Sequence, residues 1–520
     1  MRRPHRRIGA LLATVTLAVT TVACGGPAST SDDGTLNAVI GYGNNQSWDP
    51  TQTASAFAMA GNNHVYEALV EGDPITRAPE PGLAKALPED LGGTSLRFQL
   101  RDGAMWSDGQ PVTADDVVFT YERILDPEDN VLLRSFFTLW LDSVVKVDAT
   151  TVEFKLKQPF PYALERIETA KIMPKHVFEG HWEDAAGGKT LGSGPYQVSE
   201  QAPLDHTTFT KNPHYNGPHP AAYEKMVWKS IVDAAPRVAA ISGPNPQATI
   251  VENIPPANIS QLTEAGRQVE SVQGQNNVFL LFNTTKAPFD DKLVRQALHY
   301  AIDKQKLVDV ALKGQGVAAT SYLNPSLPDY QAAGTDYAYD PEKAKALLAQ
   351  AGVTDLQITL SSTNTSLVVD SLNVVKEGWD AVGVETTLDS QDTKALFSKL
   401  DGGADFQVVA ASGNPEQFGN DPDLVERYYY NRDSVMVTNY AKWSDAQSDS
   451  LYELMDKAAY ETDDAARTTQ NKEILDIIAD QAVLYPVVFT KLSTAWAPDR
   501  ITGVKAQGYP GINLLRAGPA

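Results

Sequence analysis

The chain has 520 residues, enough for two or three domains with sizeable buried cores. Its 65 acidic against 43 basic residues give a net charge of −22, which argues against phosphate-backbone binding, and no nucleic-acid partner is expected. A single cysteine excludes an internal disulfide framework, while ordinary glycine, proline and apolar contents predict a folded chain.

Residues 1–23 read as a secretory signal peptide. "MRRPHRR" supplies four arginines, and "IGALLATVTLAVTTVA" (8–23) is an uncharged, mostly apolar run. As a helix this run would be about 24 Å long, short of a bilayer's roughly 30 Å core. A basic start, an apolar middle and small residues before Cys24 fit a cleaved leader. Residues 24–34, with "GGPASTSDDG", read as a flexible tether.

"TLNAVIGY" (35–42) predicts a strand and "GNNQSWDP" (43–50) a polar loop. "SLRFQL" (95–100) alternates as a second strand. In "RDGAMWSDGQPVTADDVVFTYERIL" (101–125) the pairs Asp102-Gly103 and Asp108-Gly109 read as turns. Thr113 reads as a helix N-cap, with Asp115 and Asp116 in the first turn. The spacing does not match a D-x-[DN]-x-[DN]-G calcium loop, so these aspartates are punctuation of the fold. "TVEFKL" (151–156) is again a strand. "DDKLVRQALHYAIDKQKLVDVALKG" (290–314) predicts a helix that opens at Asp290 and Asp291, buries Val294, Leu298, Ala301 and Ile302, and closes at Gly314. "DPEKAKALLAQAG" (340–352) predicts another, with Asp340 as N-cap, Pro341 at N1 and Gly352 as its stop. "LQITL" (356–360), an apolar stripe of Leu372, Val375, Trp379 and Val382, and "VETTL" (384–388) continue the alternation. This order implies an α/β fold with mixed sheets.

"LRDGAMWSDGQPVTADDVVFTYERI" resembles the signature of the family 5 extracytoplasmic solute-binding proteins, the oligopeptide- and dipeptide-binding components of ABC importers. "LGSGPYQV" (191–198), "NPHYNGP" (212–218), "LFNTTKAPFDDKLVRQALHYAID" (281–303) and "YDPEKAKALLAQAG" (339–352) resemble further family segments in the same order. The resemblance implies a two-lobed periplasmic-binding-protein-like fold (type II, cluster C) with an extra subdomain on lobe I. Lobe I would take 35–277, with the subdomain at about 68–190, and the return 487–520. Lobe II would be 278–486. Cys24 within "TVACGG" resembles a bacterial lipoprotein signal, with Thr21 where such signals usually carry Leu. That implies a lipid anchor on the outer face of the cytoplasmic membrane; the alternative is an ordinary secreted protein.

By the same resemblance, the cleft is lined by "GNNQSWDP", "IVENIPP" (250–256) and "DFQVVAASGNPEQFGNDPD" (405–423). The candidate ligand contacts are Asn44, Asn45, Trp48, Asn253, Ser412 and Asn414, polar donors and aromatic surface suited to a peptide. The alternative makes Asn44 and Asn45 turn residues and Trp48 part of the core. Peptide binders of the family typically carry Gly-Trp-x-x-Asp in the last loop, the aspartate meeting the ligand's ammonium. Here Ala410, Ala411, Ser412, Gly413 and Asn414 stand there, so the aspartate is an asparagine. A buried ammonium without an anion is costly. Glu416 or Glu252 is then the candidate replacement, or the ligand is blocked, modified or held differently.

No catalytic signature competes. In "HVFEGH" (176–181) the histidines lie about 140° apart on a helix and match no zincin motif. His206, His214 and His219 sit in a polar stretch without a cysteine or paired carboxylate. There is no G-x-S-x-G elbow, P-loop or dinucleotide fingerprint. The expectation is a monomeric, non-enzymatic binder without cofactor or metal, working with an ABC permease and its ATPase subunits. Some family members carry nickel complexes, haem or oligosaccharides, and a sensory receptor or a secreted hydrolase is the remaining alternative.

Overall fold

Eleven strands form one mixed sheet in a computed structural model that describes residues 34–520, apart from 45, 46, 130, 328, 329 and 420. The expected signal peptide, Cys24 and Asn45 lie outside the described residues. From edge to edge the strands are Glu385–Gln391, Gln357–Thr363, Val408–Gly413, Gln268–Phe282, Leu484–Trp496, Ile250–Val251, Thr35–Ile40, Lys225–Ser230, His206–Lys211 and Tyr196–Ala202. Gly316–Ala318 pairs separately with Leu484–Trp496. Thr35–Ile40 is parallel to Lys225–Ser230, and Gln357–Thr363 is parallel to both its neighbours. The middle of the sheet is antiparallel. The fold is α/β and two-lobed. Among the described residues, no helix is long and apolar enough to cross a membrane.

Buried apolar side chains gather into separate cores. One joins Leu36 to Tyr66, Tyr196 to Ile250, and the tail from Trp496 to Ala517. A second lies within Leu69–Ile172 and receives Phe418, Leu424 and Ala459 from far along the chain. It covers a four-stranded sheet in the order Glu89–Asp90, Ser95–Gln99, Thr151–Leu156, Leu141–Lys146. The third runs from Val278 to Val488.

Gln268–Phe282 and Leu484–Trp496 carry the chain between the first and third cores. They pair from Gln268↔Trp496 to Leu281↔Leu484, with the register broken between Gln273 and Asn277. At the break, a Cβ on Gly274 would stand 2.0 Å from the carbonyl oxygen of Gly508, so bare backbone is what admits the C-terminal tail here. Gln275 ties the same point down, donating from Nε2 to the Tyr322 carbonyl (2.8 Å) and accepting at Oε1 from the Asn324 N–H (2.8 Å).

Local signals decide the helices. Asp340 caps Pro341–Gln350, its Oδ1 accepting from the Lys343 N–H at 2.9 Å. Thr113 caps Ala114–Leu125, its N–H donating to Asp116 Oδ2 at 2.8 Å. The acidic stretch does act as punctuation: Asp102 pairs with Lys85, Asp115 with Lys146, and Asp108 with His176, each separately. The segment 290–314 is not one helix. It forms Lys292–Tyr300 and Lys304–Val310, because Asp303 starts a new helix by accepting from the Lys306 N–H at 2.8 Å. An amphipathic stripe runs through such a break unchanged, which is why periodicity alone joined the two.

Candidate binding cavity

Five separate stretches wall a cavity: Pro50–Asn63, Glu71–Arg77, Glu168–Lys171, Glu416–Gly419 and Gln507–Leu515. It lies between the first and second cores, with Glu416–Gly419 brought in from far along the chain, and offers ≈ 120 Å³ to the centres of water-sized groups. At about 10–15 Å³ per water this is room for roughly ten such groups, the scale of a small peptide.

Each wall is held from behind. Asp49 is fully buried; its Oδ1 accepts from the Thr51 N–H (2.9 Å) and its Oδ2 meets Arg123 Nη1 (2.7 Å), fixing the stretch that starts at Pro50. Asp73 accepts from the N–H groups of Ile75 (3.0 Å) and Thr76 (2.7 Å), which sets the turn before Arg77. Arg166 holds the helix Ala163–Thr169 against the wall at Glu416–Gly419. Its Nε and Nη2 meet Asp421 at 2.8 and 2.9 Å, Nη2 meets Asp423 at 2.7 Å, and Nη1 donates to the Phe136 carbonyl at 3.1 Å. Asp421 also caps Pro422–Tyr430.

The charges on the wall are mostly matched. Glu416 pairs with Arg77 (Oε1 to Nη1, 2.5 Å) and accepts at Oε2 from the Gln275 N–H (2.8 Å). Arg77 lies over the ring of Tyr509, 4.8 Å from its centroid. Glu71 pairs with Lys171, and Asp73 with Arg516. Glu168 has neither an ion pair within 4 Å nor a hydrogen bond among the described residues. Burial pushes its carboxyl up to about 7; Arg77 and Lys171 oppose this and Glu71 and Glu165 add to it.

Of the sequence candidates among the described residues, Glu416 alone lines this cavity. Ser412 lines a second cleft beyond Arg166, ≈ 440 Å³ and walled by Phe279, Tyr428 and Tyr429. Asn414 reaches toward the Gly508 carbonyl at 3.5 Å, and its buried Oδ1 has no partner among the described residues. Asn44 stitches its loop to a hairpin, donating to the Ala202 carbonyl and accepting from the Leu204 N–H. Trp48 belongs to the first core, 2 % exposed, with Phe57 and Phe209 against its ring. Asn253 is left-handed (φ 52°), and its carbonyl accepts two bonds from Arg237. Arg77, Glu168, Lys171 and Tyr509 were not legible as site residues; the one local hint was the Gly-Tyr-Pro-Gly run at 508–511.

Glu252 stands behind the cavity. Its buried carboxylate accepts from the N–H groups of Gly41 (2.9 Å) and Gly511 (2.8 Å), joining the first strand to the tail that forms the wall. Burial pushes it up to about 7 from 4.5, against those two N–H groups and Arg237. The folded protein therefore holds this proton more tightly than the unfolded chain. The stabilising contribution is complete below about pH 4.5 and is lost as pH rises through 7, on the order of 3 kcal/mol in all. Urea unfolding from pH 4.5 to 8 should show this decline in the parent and a flatter profile in Glu252→Gln; parallel profiles refute it.

Comparison with known proteins gives a consistent family likeness. Residues 78–435 match the model of the bacterial extracellular solute-binding proteins, family 5 Middle. The chain is 27% identical over 496 residues to di/tripeptide-binding protein 1 of Pseudomonas aeruginosa, with 88% of each chain covered. It is 28% identical over 480 residues to heme-binding protein A of Haemophilus influenzae, covering 84% of this chain and 83% of that one. A solved dipeptide binding protein from Pseudoalteromonas sp. SM9913, in complex with Met-Leu, superposes with a TM-score of 0.80 at 21% identity, covering 94% of this chain and 100% of that one. At that identity the likeness is one of fold.

Proposed function

Because the chain belongs to the bacterial extracellular solute-binding proteins of family 5, we propose that it captures a peptide or peptide-like solute in the cavity described above and delivers it to an ABC permease. The supporting observation is the cavity itself: of small-peptide size, and walled by stretches that come together from the first core, the second core and the distant segment Glu416–Gly419. A solute bridging those walls binds the closed arrangement better than the open one, so it shifts the equilibrium toward closure. A micromolar dissociation constant, about −8 kcal/mol, is ample for a hinge equilibrium of a few kcal/mol. The closed form then docks on the permease, whose ATPase subunits supply the energy. This chain itself makes and breaks no covalent bond in that cycle.

Peptide capture is supported by the relatives, among which di- and tripeptide-binding proteins form one part and a haem-binding protein another. Room for roughly ten water-sized groups favours the small peptide over a porphyrin. Titration calorimetry with di- and tripeptides, paired with solution scattering, tests the reading. Micromolar binding with a fall in the radius of gyration is the expected result; no binding and no compaction with any of them defeats it. The lipid anchor is part of the same proposal. Intact mass of the mature protein should show Cys24 acylated at the new N-terminus, and an unmodified Cys24 counts against it.

A further inference from the structure

We propose that Glu168 is the anionic anchor of the cavity and that the captured solute presents one cationic group to it, an ammonium or a guanidinium. The inference rests on the cavity being the solute site, as proposed above.

Four carboxylates (Glu71, Asp73, Glu168 and Glu416) and two cations (Arg77 and Lys171) line the space. Lys171 is taken by Glu71, Arg77 by Glu416, and Asp73 finds its cation in Arg516. One carboxylate is left over, and it is Glu168. Its place is prepared: a Cβ on Gly72 would lie 2.5 Å from Glu168 Oε1, so the carboxylate rests against bare backbone. Its helix is held in place by the bonds from Arg166 to Asp421. The lobe II loop offers no competing anion, because Asn414 is neutral and Glu416 is engaged twice.

An unpaired carboxylate in such a space is costly unless it is protonated or meets a cation. The groups facing Glu168 are Arg77, Lys171, Glu71 and Glu165, with Tyr509 and Glu416 beside Arg77. Both cations are committed elsewhere, so they offset burial only in part. A solute cation completes the set. A neutral or anionic solute would leave Glu168 uncompensated.

The test uses the mature protein and its Glu168→Gln variant against three probe sets, followed by calorimetry at pH 6 to 8. These are free-amine dipeptides, their N-acetylated forms with the C-terminus amidated so that they carry no charge, and the non-peptide cations putrescine and methylguanidine. Free-amine dipeptides should bind the parent, tighten as pH rises through about 7, and lose about 100-fold or more in Glu168→Gln. The pH slope should vanish in the variant. Acetylated, amidated dipeptides binding as tightly as free ones, or an unchanged affinity in Glu168→Gln, overturn the anchor but keep the peptide reading. Binding of only the non-peptide cations, with the same loss in the variant, keeps the anchor and discards the peptide. No binding by any probe overturns both. The variant's unfolding midpoint at pH 8 should equal or exceed the parent's, which separates a lost anchor from a lost fold.

Discussion

Replacing Arg166 with alanine lowers the unfolding free energy by about 3–5 kcal/mol, the usual cost of leaving buried charges without their partner. Arg166 is 1 % exposed and contacts two buried carboxylates, Asp421 and Asp423. Asp423 keeps Arg427, at 2.6 Å, but among the described residues Asp421 has no second cation within 4 Å. The loss therefore falls mainly on Asp421, the residue that starts Pro422–Tyr430. Arg166 comes from the second core and its partners from the segment that follows Phe418, so the same change also loosens the closed arrangement. If the lobes part to let water reach Asp421, the stability loss shrinks and the radius of gyration grows. Urea unfolding and scattering on one sample read both effects. Unchanged stability together with unchanged dimensions would defeat the assignment. Adding Asp421→Asn to Arg166→Ala should recover part of the loss, since an amide tolerates the site better than a stranded carboxylate.

The Trp48→Ala variant is expected to lose about 3–5 kcal/mol of stability while the folded fraction binds solute as the parent does. Trp48 sits at the centre of an aromatic group in which Phe57 also meets Trp228, 6.0 Å away, and Phe209 meets it at 4.8 Å. Helix Ala56–Val65 passes so close that a Cβ on Gly61 would be 2.6 Å from the indole. No neighbour can fill the space the indole leaves. A ligand-facing tryptophan would behave the opposite way, with affinity falling and stability nearly kept. A large loss of affinity at parent-like stability would return Trp48 to the binding surface.

These two residues illustrate what could be read from the chain. Caps and turns were legible because their chemistry is local: Thr113, Asp340 and Pro341 act within a few residues of themselves. The family, and with it the two-lobed fold, was legible because its motifs recur in register. The break at Asp303 was not, since an N-cap inside a continuing apolar stripe changes no period. The cavity was least legible of all. Glu168 sits in "ALERIET", which reads as a short surface helix, and becomes special only because Gly72, Arg77 and Glu416 arrive from elsewhere. Trp48 follows "GNNQS", a polar run that gives no sign of the Phe57 and Phe209 rings around it.

The two crossing strands have a consequence for biogenesis. Ile250–Val251 has Ala38 and Val39 on one side and takes its other partners, Trp496 and Ala495, from near the far end of the chain; His64 accepts from the Leu514 N–H at 3.0 Å, and Glu252 waits for Gly511. The part of the polypeptide synthesised first thus completes its sheet with the part synthesised last. Until translation has nearly ended, the amino-terminal half lacks its closing strand and tail, and it cannot become fully native. For a chain read as bearing an export leader, late completion keeps it threadable while it waits for translocation.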